Sequence, residues 1–121
     1  MNGKGRRNKG AAGEREFLRL LGEELGEMLT RNLQQTREGG ADCLQVKGWA
    51  IEVKRQERLS RPAWWKQARR QAAVLGVQPM LAYRRNREQW KVMLQWPGAE
   101  CREVSIAEAA GVIREKWLAW P

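Results

Sequence analysis

The segment Trp49-Ala50-Ile51-Glu52-Val53-Lys54 alternates in polarity. In a strand this sends Trp49, Ile51 and Val53 to one face and Glu52, Lys54 and Gln56 to the other. On that second face Glu52 and Lys54 would stand about 7 Å apart, two steps of about 3.3 Å. A carboxylate and an ammonium so spaced can address one phosphate, the first through a bound cation and the second directly. The same two residues are also compatible with a surface ion pair, and an E-x-K tripeptide alone is weak evidence.

Asp42 is the only aspartate in the chain and follows Gly39-Gly40-Ala41. It can serve as a turn-stabilising residue after glycines or as a second metal ligand. To share a face with Glu52 and Lys54 across an antiparallel hairpin, paired residue numbers must add to an even sum. A two-residue turn at Lys47-Gly48 fails this condition, whereas a three-residue connection through Trp49 or a bulge at Gly48 meets it. Glu14 adds a further acid, in helical register with Phe17, Leu18 and Leu21, while Glu16 aligns with Leu20, Glu23 and Glu27 on the outer face. At that position Glu14 is either a buried first-turn acid favoured by the helix dipole or a group aimed into a site. The chain has no His, and its two cysteines, Cys43 and Cys101, form no C-x-x-C motif. Ordinary tetrahedral zinc sites and His-dependent nucleophiles are therefore excluded. Hydrolytic chemistry would rest on carboxylates, a Lys and a hard cation that prefers oxygen.

The elements that must position these groups can be read from periodicity. Residues 1–10 carry Lys4, Arg6, Arg7 and Lys9 among glycines, and the pattern predicts a flexible basic arm. Residues 11–121 are then one domain. A first helix is expected over residues 11–30, with Phe17, Leu18, Leu21, Leu25, Met28 and Leu29 inward, followed by a short extended piece at 32–36. Strands are expected at 43–46 and 49–55. Ser60 and Pro62 open a second helix with Trp65, Ala68, Ala72 and Leu75 on its stripe, and Gly76 closes it. Strands at 79–83 and 89–96 and a helix over 105–118, with Ile106, Ala109, Ala110, Ile113 and Trp117 inward, complete an α/β domain: a mixed sheet flanked by helices.

A net charge of +9 on 121 residues suits a polyanionic partner, although charge alone does not choose among DNA, RNA and an acidic membrane. Arg55, Arg58, Arg61, Lys66, Arg69 and Arg70 follow the E-x-K segment closely. They are placed to hold a phosphate backbone without reading bases, or to form a solvated face. Trp64, Trp90, Trp96, Trp117 and Trp120 exceed what so small a core must bury, and the surplus fits a dimer interface or a wedge against bases. No apolar run reaches the roughly 20 residues of a membrane span and no signal peptide is apparent, so a cytoplasmic location is expected.

Gly13-Glu14-Arg15-Glu16-Phe17, Gly39-Gly40-Ala41-Asp42 and Ile51-Glu52-Val53-Lys54 together resemble the PD-(D/E)XK nuclease superfamily. Within it, the chain is most similar to the Holliday-junction resolvases of archaeal and phage type. The likeness runs from Lys9 to about Val92 and includes Trp65, Gln67 and the strand at 79–84; Ala41 replaces the proline that names the motif. The resemblance implies a restriction-endonuclease-like core in which Glu14, Asp42 and Glu52 surround Mg²⁺, which Mn²⁺ could replace, with Lys54 as the catalytic cation. It also implies a glutamine on the following helix, Gln67 or, one turn later, Gln71. DNA contacts would then come from Lys4, Arg6, Arg7 and Lys9, from Arg55 and Gln56, from Lys66, Gln67, Arg70 and Gln71, and from Arg84. A homodimer acting on branched DNA is the expected assembly. Two other readings are a nicking or flap nuclease of the same chemistry and a noncatalytic basic DNA-binding module. Convergence of the acids and the lysine on one cleft favours an enzyme. Glu14 paired with an Arg, and Asp42 facing solvent, favour the module.

Overall fold

In the computed structural model, which describes residues 3–32, 42–43, 45–96 and 98–115, the order of elements is α1 (Gly3–Leu25), β1 (Trp49–Arg55), α2 (Arg61–Leu75), β2 (Gln78–Arg84), β3 (Lys91–Trp96), β4 (Ala99–Val104) and α3 (Ile106–Glu115). The sheet order is β1-β2-β3-β4. β1 and β2 are parallel, while β3 is antiparallel to both β2 and β4. A parallel pair needs a crossover, and α2 supplies it. The chain thus has the expected mixed sheet flanked by helices.

Strand alternation divides the core. Ile51, Val53, Met80, Ala82, Val92, Leu94 and Val104 share one face with Phe17, Leu18 and Leu21 of α1 and Ala109, Ala110 and Val112 of α3. On the other face, Leu81 and Tyr83 pack with Trp64, Trp65 and Ala68 of α2, and Ala50 packs with Ala72. Glu52 and Lys54 belong to this second face. α2 runs from Ser60 at its N-cap, with Pro in its first turn, to Gly76, whose left-handed conformation (φ 69°) ends it.

Several expectations are corrected. Residues 3–10 are helical where an arm was expected. Lys4, Arg6, Arg7 and Lys9 tolerate helix whereas Gly3, Gly5, Asn8 and Gly10 disfavour it, so the segment continues the turns already packed on the core, where each added residue gains one hydrogen bond; apolar periodicity does not report such an extension. At its other end α1 stops at Leu25, not near Thr30. Gly26 turns the chain at φ 73° and Glu27 N donates to Gly22 O at 3.0 Å, so Met28 is 88 % exposed while Leu29 is buried in the loop beyond. The extended piece at 32–36 lies outside the described residues beyond Asn32. On α2, Trp64 takes the inward place and Leu75 is exposed; Trp90 is also buried, against Phe17 at 5.2 Å between ring centroids. β4 was not anticipated, because it is an edge strand with a polar sequence whose pairing comes from backbone groups. It leads into a reciprocal cap: Ser105 N donates to Glu108 Oε1 and Glu108 N to Ser105 Oγ, both at 3.1 Å. Trp117 and Trp120 lie outside the described residues.

The helix stop depends on a missing side chain. A Cβ at position 22 would lie 2.4 Å from the Glu27 carbonyl oxygen, and that atom is backbone. Gly22→Ala should therefore destabilise the domain by about 1–3 kcal/mol, measured by urea unfolding, whereas Gly111→Ala, with nothing near its added Cβ, should not.

Candidate active site

Three chain segments meet around the C-terminal half of β1. The first approach is made by the residues before β1. Cys43 bridges Ile51 in antiparallel sense, with Cys43 N to Ile51 O at 3.2 Å and Ile51 N to Cys43 O at 3.1 Å. The pair has an even sum, the condition for Asp42 to stand on the Glu52 face. The connection is a turn closed by Trp49 N to Val46 O at 3.0 Å, with Gly48 at φ 88°. It is thus a three-residue connection shifted one place earlier than one through Trp49, and residues 43–46 form a single bridge among the described residues, not a full strand. Asp42 is pinned at both ends: its carbonyl accepts from Asn32 N and its Oδ2 from Val53 N, each at 2.6 Å.

The second approach is made by α1. A Cβ at Gly13 would lie 2.5 Å from Arg55 Cβ, so this glycine lets the helix cross close to the end of β1 and brings Glu14 beside the strand. Glu14 is buried, and its Oε2 accepts from Arg31 Nε at 2.5 Å. Arg31 had no role in the sequence reading, since nothing in its neighbourhood signalled a partner 17 residues away. The third approach is made by α2, whose Gln67 Nε2 lies 3.5 Å from Glu52 Oε1, the same distance as Lys54 Nζ from that oxygen. The Glu52–Lys54 ion pair exists, but Glu52 is buried and Lys54 only partly exposed, so it is not a free surface pair. Glu52 Oε2 is buried with no hydrogen-bond partner.

The electrostatic result is two carboxylates whose charged forms are disfavoured. Burial, the charge of Glu52 and, more weakly, that of Glu14 push Asp42 up to about 8, against the opposing hydrogen bond from Val53 N. Burial likewise raises Glu52, with Lys54 opposing and Glu14 adding to the rise. Among the described residues no three acids converge on a single point, because Glu14 turns to Arg31 and one oxygen of Asp42 turns to the β1 backbone. The donor set still suits a hard divalent cation: two buried carboxylates lacking sufficient positive charge, one with an unpartnered oxygen.

The remaining predicted DNA contacts are distributed unevenly. Lys66 and Arg70 are exposed on α2, Gln56 is exposed just beyond β1, and Gln71 is half-buried on the Gln67 side of α2 with an unpartnered Oε1. Arg55 contacts Glu57 at 3.3 Å and Asn86. Arg84 is engaged internally: it donates to the Glu88 carbonyl at 2.9 Å, lies 3.1 Å from Glu16 as an ion pair without hydrogen-bond alignment, and sits over the Trp90 ring. Glu16, read as an outer-face residue, also accepts from Trp90 Nε1 at 2.7 Å. The side chains of Lys4, Arg6, Arg7 and Lys9 lie outside the described residues.

The raised carboxyl groups link stability to pH. An acid whose folded pKa exceeds its unfolded value stabilises the fold below the unfolded value and loses that contribution as pH rises through the folded one. In a chelator the melting temperature should therefore fall between about pH 4 and pH 8, attributable to Asp42. Asp42→Asn, which keeps an acceptor for Val53 N, should flatten this slope; an equally steep slope in the variant would place its origin elsewhere.

Comparison with known proteins bears on the family and the fold. The model of the family described as "Phage putative PDDEXK endonuclease" matches residues 5–108. The fold is also that of the Holliday junction resolvase Hjc from Archaeoglobus fulgidus, with 19 % identity, a TM-score of 0.54 and coverage of 83 % of this chain and 97 % of that one. No curated protein sequence matches the chain. Nucleases of the PD-(D/E)XK kind generally use divalent metals, and the family implies a DNA substrate. With the match spanning most of its length, the chain belongs to the phage PDDEXK endonuclease family and has a resolvase-like nuclease fold.

Proposed function

We propose that the chain is a Mg²⁺-dependent DNA endonuclease acting on branched DNA of the four-way-junction type, with Mn²⁺ able to substitute and a two-fold dimer as the working form. The observation that carries the catalytic part is Glu52, buried between Lys54 and Gln67 with one oxygen unpartnered and with Asp42 beside it. The fold shared with a Holliday junction resolvase supports the branched substrate.

Glu52 and Asp42 would hold the cation, with Glu14 completing the acidic wall. When bound, the cation supplies positive charge against the scissile phosphate and lowers the pKa of nearby water. Lys54 then stabilises charge developing on the phosphate or orients the attacking water, because its ammonium shares the face of Glu52 and is only partly exposed. Gln67 holds the Glu52 carboxylate from above. Arg31 fixes Glu14 and keeps a positive charge at the rim.

The Glu14–Arg31 pair is the one observation that favours a noncatalytic binding module. Burial of Asp42, which such a module would leave in solvent, weighs against it.

A labelled four-way junction incubated with and without Mg²⁺ tests the reading. Asp42→Asn and Glu52→Gln should each reduce cleavage by at least about 100-fold while junction binding in Ca²⁺ is kept or tightened, as repulsion against phosphate is relieved. Lys54→Ala should lower single-turnover cleavage more than affinity. Lys54→Arg should rescue poorly, because the guanidinium is wider and keeps its proton. Wild-type rates in the carboxylate variants, or rescue by Arg, would contradict these assignments.

A further inference from the structure

α2 contains four basic residues and no acidic one, and its two flanks differ. Successive helical residues turn by about 100°. With Trp64, Trp65, Ala68 and Ala72 inward, Gln67 and Gln71 occupy one flank while Lys66, Arg69 and Ala73 occupy the other, with Arg70 on the crest. The Gln67 flank faces Glu52 on β1. The opposite flank borders a groove of about 530 Å³ whose floor and far wall include Gln78 and Pro79 of β2 and Gln95 of β3. No acidic side chain lines this groove. The candidate active site and the basic groove are therefore separated by the width of one helix.

That width is informative. An α-helix with its side chains is about 10–12 Å across, and the B-DNA major groove is about 12 Å wide. A duplex that straddles α2 presents one backbone to each flank.

We infer that α2 lies along the major groove of duplex DNA, with the strand to be cut on the Gln67–Glu52 flank and the backbone of the uncut strand in the groove bordered by Lys66, Arg69 and Arg70. The inference rests on the proposed active site for which strand is cut, but the groove itself is tested by binding alone. Polar Gln78 and Gln95 suit phosphate and sugar contacts, which position a duplex without reading its sequence. The A-form major groove is too deep and narrow for such a fit, so the surface selects B-form DNA over duplex RNA.

The experiment compares K66Q/R70Q with the intact protein and with R114Q, a charge removed from α3 on the other side of the sheet. Affinity for a plain DNA duplex, measured in a chelator, should weaken in K66Q/R70Q. Its slope of log affinity against log salt should shrink by about 2, close to 0.9 per lost phosphate contact. R114Q should keep the slope, and duplex RNA should bind more weakly than DNA to the intact protein. On a junction bound in Ca²⁺, replacing charged linkages by methylphosphonates opposite the cleavage position should weaken the intact protein but add little in K66Q/R70Q, the non-additivity expected of direct contact. An unchanged salt slope in K66Q/R70Q, a slope lost equally in R114Q, or methylphosphonate effects that add fully to the double substitution would overturn the assignment. Absence of cleavage by the intact protein would count against the proposed activity and would leave the chelator measurements to judge the groove.

Discussion

Two carboxylates held close together out of water are the constraint around which the rest of this domain is arranged. Burying Asp42 and Glu52 near each other costs free energy whenever both are ionised, since each loses hydration and Asp42 also meets the charge of Glu52. The fold tolerates this because every support is local and specific. Val53 N–H anchors Asp42, and Lys54 and Gln67 address the same oxygen of Glu52, while Glu14, which Gly13 lets α1 bring close, adds to the repulsion. What remains is a pair of hard oxygen donors short of positive charge, which a divalent cation would supply.

The architecture makes that arrangement inexpensive elsewhere. Because β1 and β2 are parallel, the chain must return over the sheet, and the returning helix covers the face that carries Glu52 and Lys54. One helix thus closes the core through Trp64, Trp65 and Ala68, holds Glu52 through Gln67, and presents its cations to solvent. α1 and α3 bury the opposite face, which holds the larger core cluster. A buried charge pair is weak evidence for stability, and the proposed cation site gives this one a functional reason.

Much of this was legible in the sequence because it depends on period and parity. Alternation over Trp49–Arg55 placed Glu52 and Lys54 together, and the even-sum condition required the connection that the Cys43–Ile51 bridge provides. Helix periodicity located Glu14 on the buried stripe of α1, and Ser60, Pro62 and Gly76 marked the ends of α2. What escaped was set by tertiary contact. Arg31 reaches Glu14 across a turn whose geometry depends on Gly22 and Gly26. Glu16 is drawn inward by Trp90 from 74 residues away. β4 is a strand only because β3 offers it an edge. The helical start of α1 carries no apolar signal, since its backbone is ordered by propagation from the packed turns that follow.

In the proposed site, Asp42 and Glu52 take up a cation and their charge is suppressed until it arrives. Proton release on cation binding measures this directly, by titrating Mn²⁺ into the protein calorimetrically in buffers of differing ionisation enthalpy. With Asp42 near 8, binding at pH 7 should release about one proton. The release should vanish in Asp42→Asn and decline above pH 9. Binding without proton release at pH 7, or equal release from Asp42→Asn, would contradict the account.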